Sequence, residues 1–185
     1  MEVLEAIKGR RSIRSYKKDE IPLEKLNIIL EAARWAPSWA NTQCWEFIIV
    51  KDKDIKDKLA QTLPSVNPAL PAFSQVPIVL VACAKKAKSG YFQDKPVTDK
   101  GEYWYMFDVA LALQNLTLAA YSLGIGSLHV GYFDAQKAAE IVKIPSDLTV
   151  IELVLLGYPE GEPRLTKRKQ INDFVYYNYY GNKIE

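Results

Sequence analysis

Three arginines and two serines crowd the segment GRRSIRSY at residues 9–16: Arg10, Arg11, Arg14, Ser12 and Ser15. Arginine's planar fork pairs with the oxygens of phosphate or carboxylate, and serine hydroxyls complete such a shell. On its own the segment fits a solvated helix end, a grip on nucleic acid, or a holder for one small, dense anion. The other groups able to do chemistry are sparse: one histidine, His129, and two cysteines, Cys44 and Cys83. Three scattered candidates cannot assemble the four ligands of a structural zinc site, so no metal is expected. Nothing beside either cysteine marks an activated thiolate. No pair of carboxylates stands out as a tuned acid and base.

Charge narrows the choice for the arginines. The 185-residue chain carries 24 Lys+Arg against 22 Asp+Glu, a net charge of +2. A protein that neutralises many phosphates of a nucleic acid usually has a strong basic excess, so no nucleic-acid partner is expected and the cluster has a local purpose. Hydrophobic content of 49% with 25% charged residues is that of a globular protein. The length suits a single domain spanning residues 1–185. The longest apolar stretch, near residues 103–123, is broken by Asp108, Gln114 and Asn115, which argues against a membrane span. The acidic, amphipathic start EVLEAIKG has no apolar leader core. A cytoplasmic protein is the expectation.

The elements that must position these residues alternate helix with strand. Residues 2–8 read as a short helix delivering the arginines. The stretch IPLEKLNIILEAARWAP reads as a helix opened by Pro22 and stopped by Pro37, and the polar loop SWANTQC follows. WEFIIVK is a strand. DIKDKLAQTL is an amphipathic helix capped by Asp52 or Asp54. PSVNPALPAFSQVP reads as a proline-rich connection, and IVLVACA as a buried strand. Residues 85–102 read as a polar surface insertion. A long helix follows, apolar nearly all round and ended by Gly124 in a left-handed cap. IGSLHVG is a third strand, DAQKAAEIVK a helix and LTVIELVLLGYP a fourth strand, before a basic and then aromatic tail. Alternation alone suggests a doubly wound sheet. However, Gly124, Gly126 and Gly131 lie between a helix and a strand, the reverse of the dinucleotide-binding order.

Four segments together resemble the nitroreductase family of FMN-dependent flavoproteins. They are RRSIRSY, APSWANTQCW (against the family pattern A-P-S-x-x-N-x-Q-P-W), GIGSLHVGYFD and GYPEGEP with its later KRK. The resemblance covers nearly the whole chain. It implies an α+β fold, a mixed sheet flanked by helices, in an intertwined homodimer with FMN at the subunit interface.

The resemblance also implies roles. Arg10, Ser12 and Arg168 contact the FMN phosphate, Arg11 lies against the ribityl and phosphate region, and Arg14 approaches the N1/O2 edge of the flavin. Pro37, Ser38, Asn41 and Gln43 form the loop that one subunit lays against its partner's flavin. Asn67 is a candidate for the ring's pyrimidine edge, and the backbone of Gly131 faces N5. The sequence departs from the pattern at Cys44, where the family usually has proline. The implied activity is NAD(P)H-driven, ping-pong reduction of nitroaromatic, quinone or related flat acceptors, without a side-chain acid or base. Tyr91, Phe92, Tyr103, Trp104 and Tyr105 of the insertion either face such acceptors or merely anchor the loop. A relative with other flavin chemistry (reductive dehalogenation or flavin destruction) and a non-enzymatic FMN binder are the alternatives.

Overall fold

The computed structural model describes residues 1–183. Four strands form one sheet: β1 (Trp45–Val50), β2 (Ile78–Lys85), β5 (Gly126–Val130) and β6 (Leu148–Gly157), in the order β1-β2-β6-β5. Every neighbouring pair is antiparallel. Two short strands, β3 (Tyr91–Phe92) and β4 (Lys95–Pro96), make a separate hairpin inside the insertion. The alternation of helices and strands therefore does not produce the doubly wound sheet that pattern alone suggests. Val50 pairs with Val79, so the chain leaves β1 and enters β2 at the same end of the sheet. The segment between them makes a round trip instead of crossing over.

Helices cover both faces. On one side lie α2 (Leu23–Arg34) and α5 (Trp104–Ser122). On the other lie α3 (Lys53–Ala60), α4 (Leu70–Phe73) and α6 (Ala135–Val142). β2 shows the period-two rule plainly. Val79, Val81 and Cys83 point into the α3/α4/α6 core, while Ile78, Leu80, Ala82 and Ala84 point into the α2/α5 core. Asp52 caps α3 by accepting from the Ile55 N–H at 2.9 Å, and Asp134 caps α6 by accepting from the Lys137 N–H at 3.0 Å. Gly124 ends the turn after α5 with φ +76°, as expected.

Three segments differ from the sequence expectation. The proline-rich stretch at residues 64–77 is no mere connection: it contains α4 and buries Ala72, Phe73 and Val76. The insertion is anchored at its root, where Ser89 is 1% exposed, although its hairpin is outside. The helix α5 is covered on one side only. Asp108, Val109, Ala112, Leu113, Leu116 and Ala120 are buried, while Tyr103, Met106 and Phe107 face outward.

The arginine segment follows α1 (Val3–Gly9) and is stitched to the sheet. Ser12 makes a parallel bridge to Ser127 of β5, and the Ile13 N–H donates to the Ser127 carbonyl at 3.0 Å. The Lys17 N–H donates to the Tyr158 carbonyl at 2.9 Å. Ile13 and Tyr16 turn inward into the core, and the Tyr16 hydroxyl donates to the Ile13 carbonyl at 2.8 Å. Burial pushes the Tyr16 phenol well above its usual range. The fit at β5 is tight: a Cβ on Gly126 would lie 2.6 Å from Ile13 Cγ1. We expect Gly126→Ala to destabilise the protein by about 1–3 kcal/mol through overpacking, measured as a lower midpoint in urea. An unchanged midpoint would show that residues 12–16 are not held against β5.

Both cysteines are buried. Burial and then the nearby Asp108 carboxylate push the Cys44 thiol up to about 12. Burial and then Glu46 push that of Cys83 to about 11. A thiol whose pKa rises on folding stabilises the fold fully below its ordinary value of 9.0, and that contribution is lost as pH climbs through the raised value. Stability should therefore fall between about pH 9 and pH 12. At pH 8 neither thiol should react with a disulfide reagent until denaturant is added, when both should. Rapid native labelling of Cys44 would show an accessible thiolate.

Candidate active site

A cavity of about 360 Å³ opens on the outer side of the arginine segment. Arg10, Arg11, Ser12, Arg14, Pro68, Arg164, Thr166 and Arg168 line it, and among the described residues no carboxylate does. The cluster lacks internal compensation. Burial first, then the like charges of Arg168 and Arg11, pull the Arg10 guanidinium below its ordinary pKa. Its Nη1 is buried without a hydrogen-bond partner. A buried unpaired donor of this kind costs stability unless an anion meets it. A phosphate monoester, nearly doubly charged and rich in acceptors, fits the site chemically.

A second cavity of about 230 Å³ shares Arg14 and Pro68 with the first. Asn67, Leu128, Val130, Gly131 and Tyr132 contribute to its lining. The two form one trough along the outer edge of β5, where residues 12–14 lie against the strand, with a charged end and a more apolar, glycine-floored end. Gly131 is the informative residue. Each of the other eight glycines has either a positive φ or a protein atom within 3 Å of where its Cβ would stand. Gly131 has neither: a Cβ there would meet open space. Nothing in the described part of this chain requires glycine there, and the bare backbone leaves room for a ligand to approach closely.

The structure thus brings together Arg10, Arg11, Ser12, Arg14, Asn67, Gly131 and Arg168. Two of them differ in detail from the expected roles. One Arg11 nitrogen donates to the Lys8 and Arg10 carbonyls, so its fork serves largely to cap α1. Asn67 donates to the Tyr132 carbonyl at 2.7 Å and accepts from the Ala69 N–H at 2.9 Å. Its side chain holds the backbone beside Gly131. Arg164, Thr166 and Pro68 line the charged end and were missed in the sequence. The signal was available for Arg164, which stands four residues before Arg168 in the same basic run. Arg168 itself donates to the Thr166 hydroxyl at 2.6 Å, which aims it. His129 has a ring nitrogen 3.0 Å from the Glu152 carboxylate on the neighbouring strand, a packed pair within the sheet.

Pro37, Ser38, Asn41 and Gln43 are not brought to this trough. Their loop enters β1 on the far edge of the sheet, three strand spacings (roughly 14 Å) from β5. The loop is nonetheless built with care. The Gln43 N–H donates to Ser38 Oγ at 2.9 Å, and the Gln43 amide donates to Asn41 Oδ1 at 3.2 Å. Ala40, Asn41 and Gln43 all adopt left-handed φ, at 42°, 56° and 46°. Such conformations cost on the order of 1 kcal/mol each for non-glycine residues and persist only where surroundings enforce them. Among the described residues, no helix is long and apolar enough to cross a membrane, and no group of three metal-binding side chains gathers.

Comparison with known proteins finds relatives of this chain in sequence and in fold. An FMN reductase [NAD(P)H] of Bacillus subtilis is 29% identical over 96% of this chain and 75% of its own length. An iodotyrosine deiodinase of Thermotoga neapolitana is 25% identical over 92% of this chain and 95% of its own length. The structure of an FMN-dependent nitroreductase from Clostridium difficile R20291 superposes with a TM-score of 0.77, at 28% identity, covering 96% of this chain and 99% of the other. Residues 7–158, from the end of α1 through the whole sheet, match the Nitroreductase family, and this chain is a member of that family.

Proposed function

We propose that this protein is an FMN-dependent oxidoreductase that takes electrons from NADH or NADPH and passes them to a flat aromatic or quinone-like small molecule, working as a homodimer. The observation that carries the reading is the trough: a carboxylate-free arginine end with an orphaned Arg10 nitrogen, continuous with the open floor at Gly131. Bound FMN supplies reversible hydride and electron transfer through its ring. The chain supplies binding and electrostatics. Arg10, Ser12 and Arg168 grip the phosphate, with Arg164 adding charge. Arg14, which lines both cavities, sets a cation where the phosphate end meets the ring end, favouring negative charge that accumulates on reduction. Gly131 keeps the floor bare so that backbone approaches the ring.

Placement supports the homodimer. The 37–43 loop carries amides suited to the polar edge of a flavin, yet sits on the wrong edge of its own sheet. A second copy is the direct way to bring it to the trough. Exposed Leu4 and Ile7 on α1, Phe107 on α5, and Phe174, Tyr179 and Tyr180 in the tail are apolar surface of the kind that a partner covers. His129 also lines the ring end of the trough, with a ring nitrogen 3.0 Å from the Glu152 carboxylate; with that nitrogen engaged, proton transfer is left to solvent, and donor and acceptor use the same open floor in turn.

The purified protein should be yellow and release FMN on denaturation. Light scattering should give a dimer, and initial rates should give the parallel double-reciprocal lines of ping-pong turnover. Arg10→Ala and Arg168→Ala should each weaken FMN binding by about 1.5–3 kcal/mol. Gly131→Ala should leave apo-protein stability within about 0.5 kcal/mol yet lower FMN affinity, because its methyl enters only the ligand's space. A protein that cannot be loaded with FMN overturns the proposal. Preferential reduction of a halotyrosine over nitroaromatics and quinones would move it to dehalogenation chemistry.

A further inference from the structure

Asp108 is 1% exposed, and among the described residues no ion pair reaches it. Burying a carboxylate without a cation is costly, and an apolar residue of similar size would often be more stable. Its partners are three donors from two parts of the chain, the 38–44 loop and the root of the insertion. The Trp39 N–H donates to both oxygens, at 3.2 and 3.1 Å. The Ser89 hydroxyl donates at 2.5 Å. The Cys44 thiol, kept protonated by its raised pKa, lies at 3.8 Å. A carboxylate accepts only, so it draws donors from both ends of the loop and from the insertion toward one point without a hydrogen of its own to place.

What converges there is specific. Trp39 opens the strained loop that carries Asn41 and Gln43. Its ring stands edge-on to Trp104 at 4.9 Å, and Trp104 lies 5.8 Å from Phe107. Trp104 precedes Asp108 by four residues on α5, so the two share one face of the helix. Ser89 anchors the root of the insertion, and the next residue, Gly90, packs so closely that a Cβ there would meet Trp104 Cβ at 2.9 Å. A single carboxylate thus fixes the backbone of the polar loop, the aromatic trio and the insertion relative to one another.

We propose that Asp108 is a positioning residue that locks the 38–43 loop and the Trp39–Trp104–Phe107 trio into one rigid unit forming the binding wall for a flat aromatic acceptor. The role at the acceptor rests on the functional reading above; the rigidity of the unit does not.

The test uses the full-length protein with Asp108→Ala, Asp108→Asn and Ser89→Ala, and two readouts. The first is hydrogen exchange at the Trp39 amide in protein without FMN. The second, on the FMN-loaded dimer, is the ratio of kcat/KM for a nitroaromatic to kcat/KM for ferricyanide, an acceptor that needs no aromatic wall. Asp108→Ala should speed Trp39 exchange at least tenfold and lower the ratio about tenfold, and it should weaken FMN binding severalfold because the loop amides that meet the flavin edge are loosened with it. Asp108→Asn should stay within about threefold on both readouts, since its amide oxygen still accepts from Trp39 and its NH₂ can donate to Ser89. Ser89→Ala should lower the ratio severalfold, and this variant decides the matter if Asp108→Ala does not fold. Unchanged exchange and ratio in a folded Asp108→Ala overturn the proposal. So does an Asp108→Asn variant as impaired as Asp108→Ala, which would make the charge, and not the placement, the point. If the wild type binds no FMN, the functional reading fails, and the exchange measurement alone decides the rigid unit.

Discussion

Five guanidinium groups around one small cavity repel each other, and nothing in the cavity's own lining offsets that repulsion. The fold keeps the groups together by attaching the segment that carries three of them to the sheet. Residues 12–17 hydrogen-bond to Ser127 and Tyr158, and Ile13 and Tyr16 enter the core. Because extended backbone alternates its side chains, inward Ile13 leaves Ser12 and Arg14 facing out. The glycine at 126 allows this close approach. The stability spent on clustering cations is stability that an anionic ligand returns on binding, so the site and its ligand preference come from the same electrostatic constraint.

The antiparallel sheet sets the second constraint. It places the arginine trough along one edge and the amide-bearing loop along the other. A single subunit cannot close that distance, whereas two copies arranged about a twofold axis can satisfy it twice. The exposed apolar side chains of α1, α5 and the tail are consistent with the same arrangement. They lie outside the two cores that the chain completes by itself.

Asp108 links these constraints to the interior. A buried carboxylate in an otherwise apolar helix is a local inconsistency of the kind expected at functional positions. Its neighbours explain it: left-handed residues in the loop need an external hold, and the Trp39 backbone is where the hold is applied. Cys44 belongs to this arrangement as a protonated donor. Its position beside the loop therefore reflects packing and hydrogen bonding, and no redox role is required of it.

Much was legible in the sequence because it depends on local chemistry. The longer helices and the four strands of the main sheet follow from periodicity and from caps such as Asp52 and Gly124. The family resemblance followed from short motifs whose residue types are chemically specific, and Arg10, Ser12, Arg14, Arg168 and Gly131 do line one trough. Tertiary structure decided what depends on residues distant in the chain. Pattern alone could not show that the sheet is antiparallel, because strand direction depends on where each connection returns. Nor could it show that Arg11 caps a helix and Asn67 props the backbone at Tyr132. Side-chain hydrogen bonds are shared out by neighbours in space, and residue type reveals only what a group is able to donate or accept. Asp108 is the clearest case. In sequence it is a charge interrupting a mostly apolar helix; only the convergence of Trp39 and Cys44 from the 38–44 loop with Ser89 from the insertion gives it a reason to be buried.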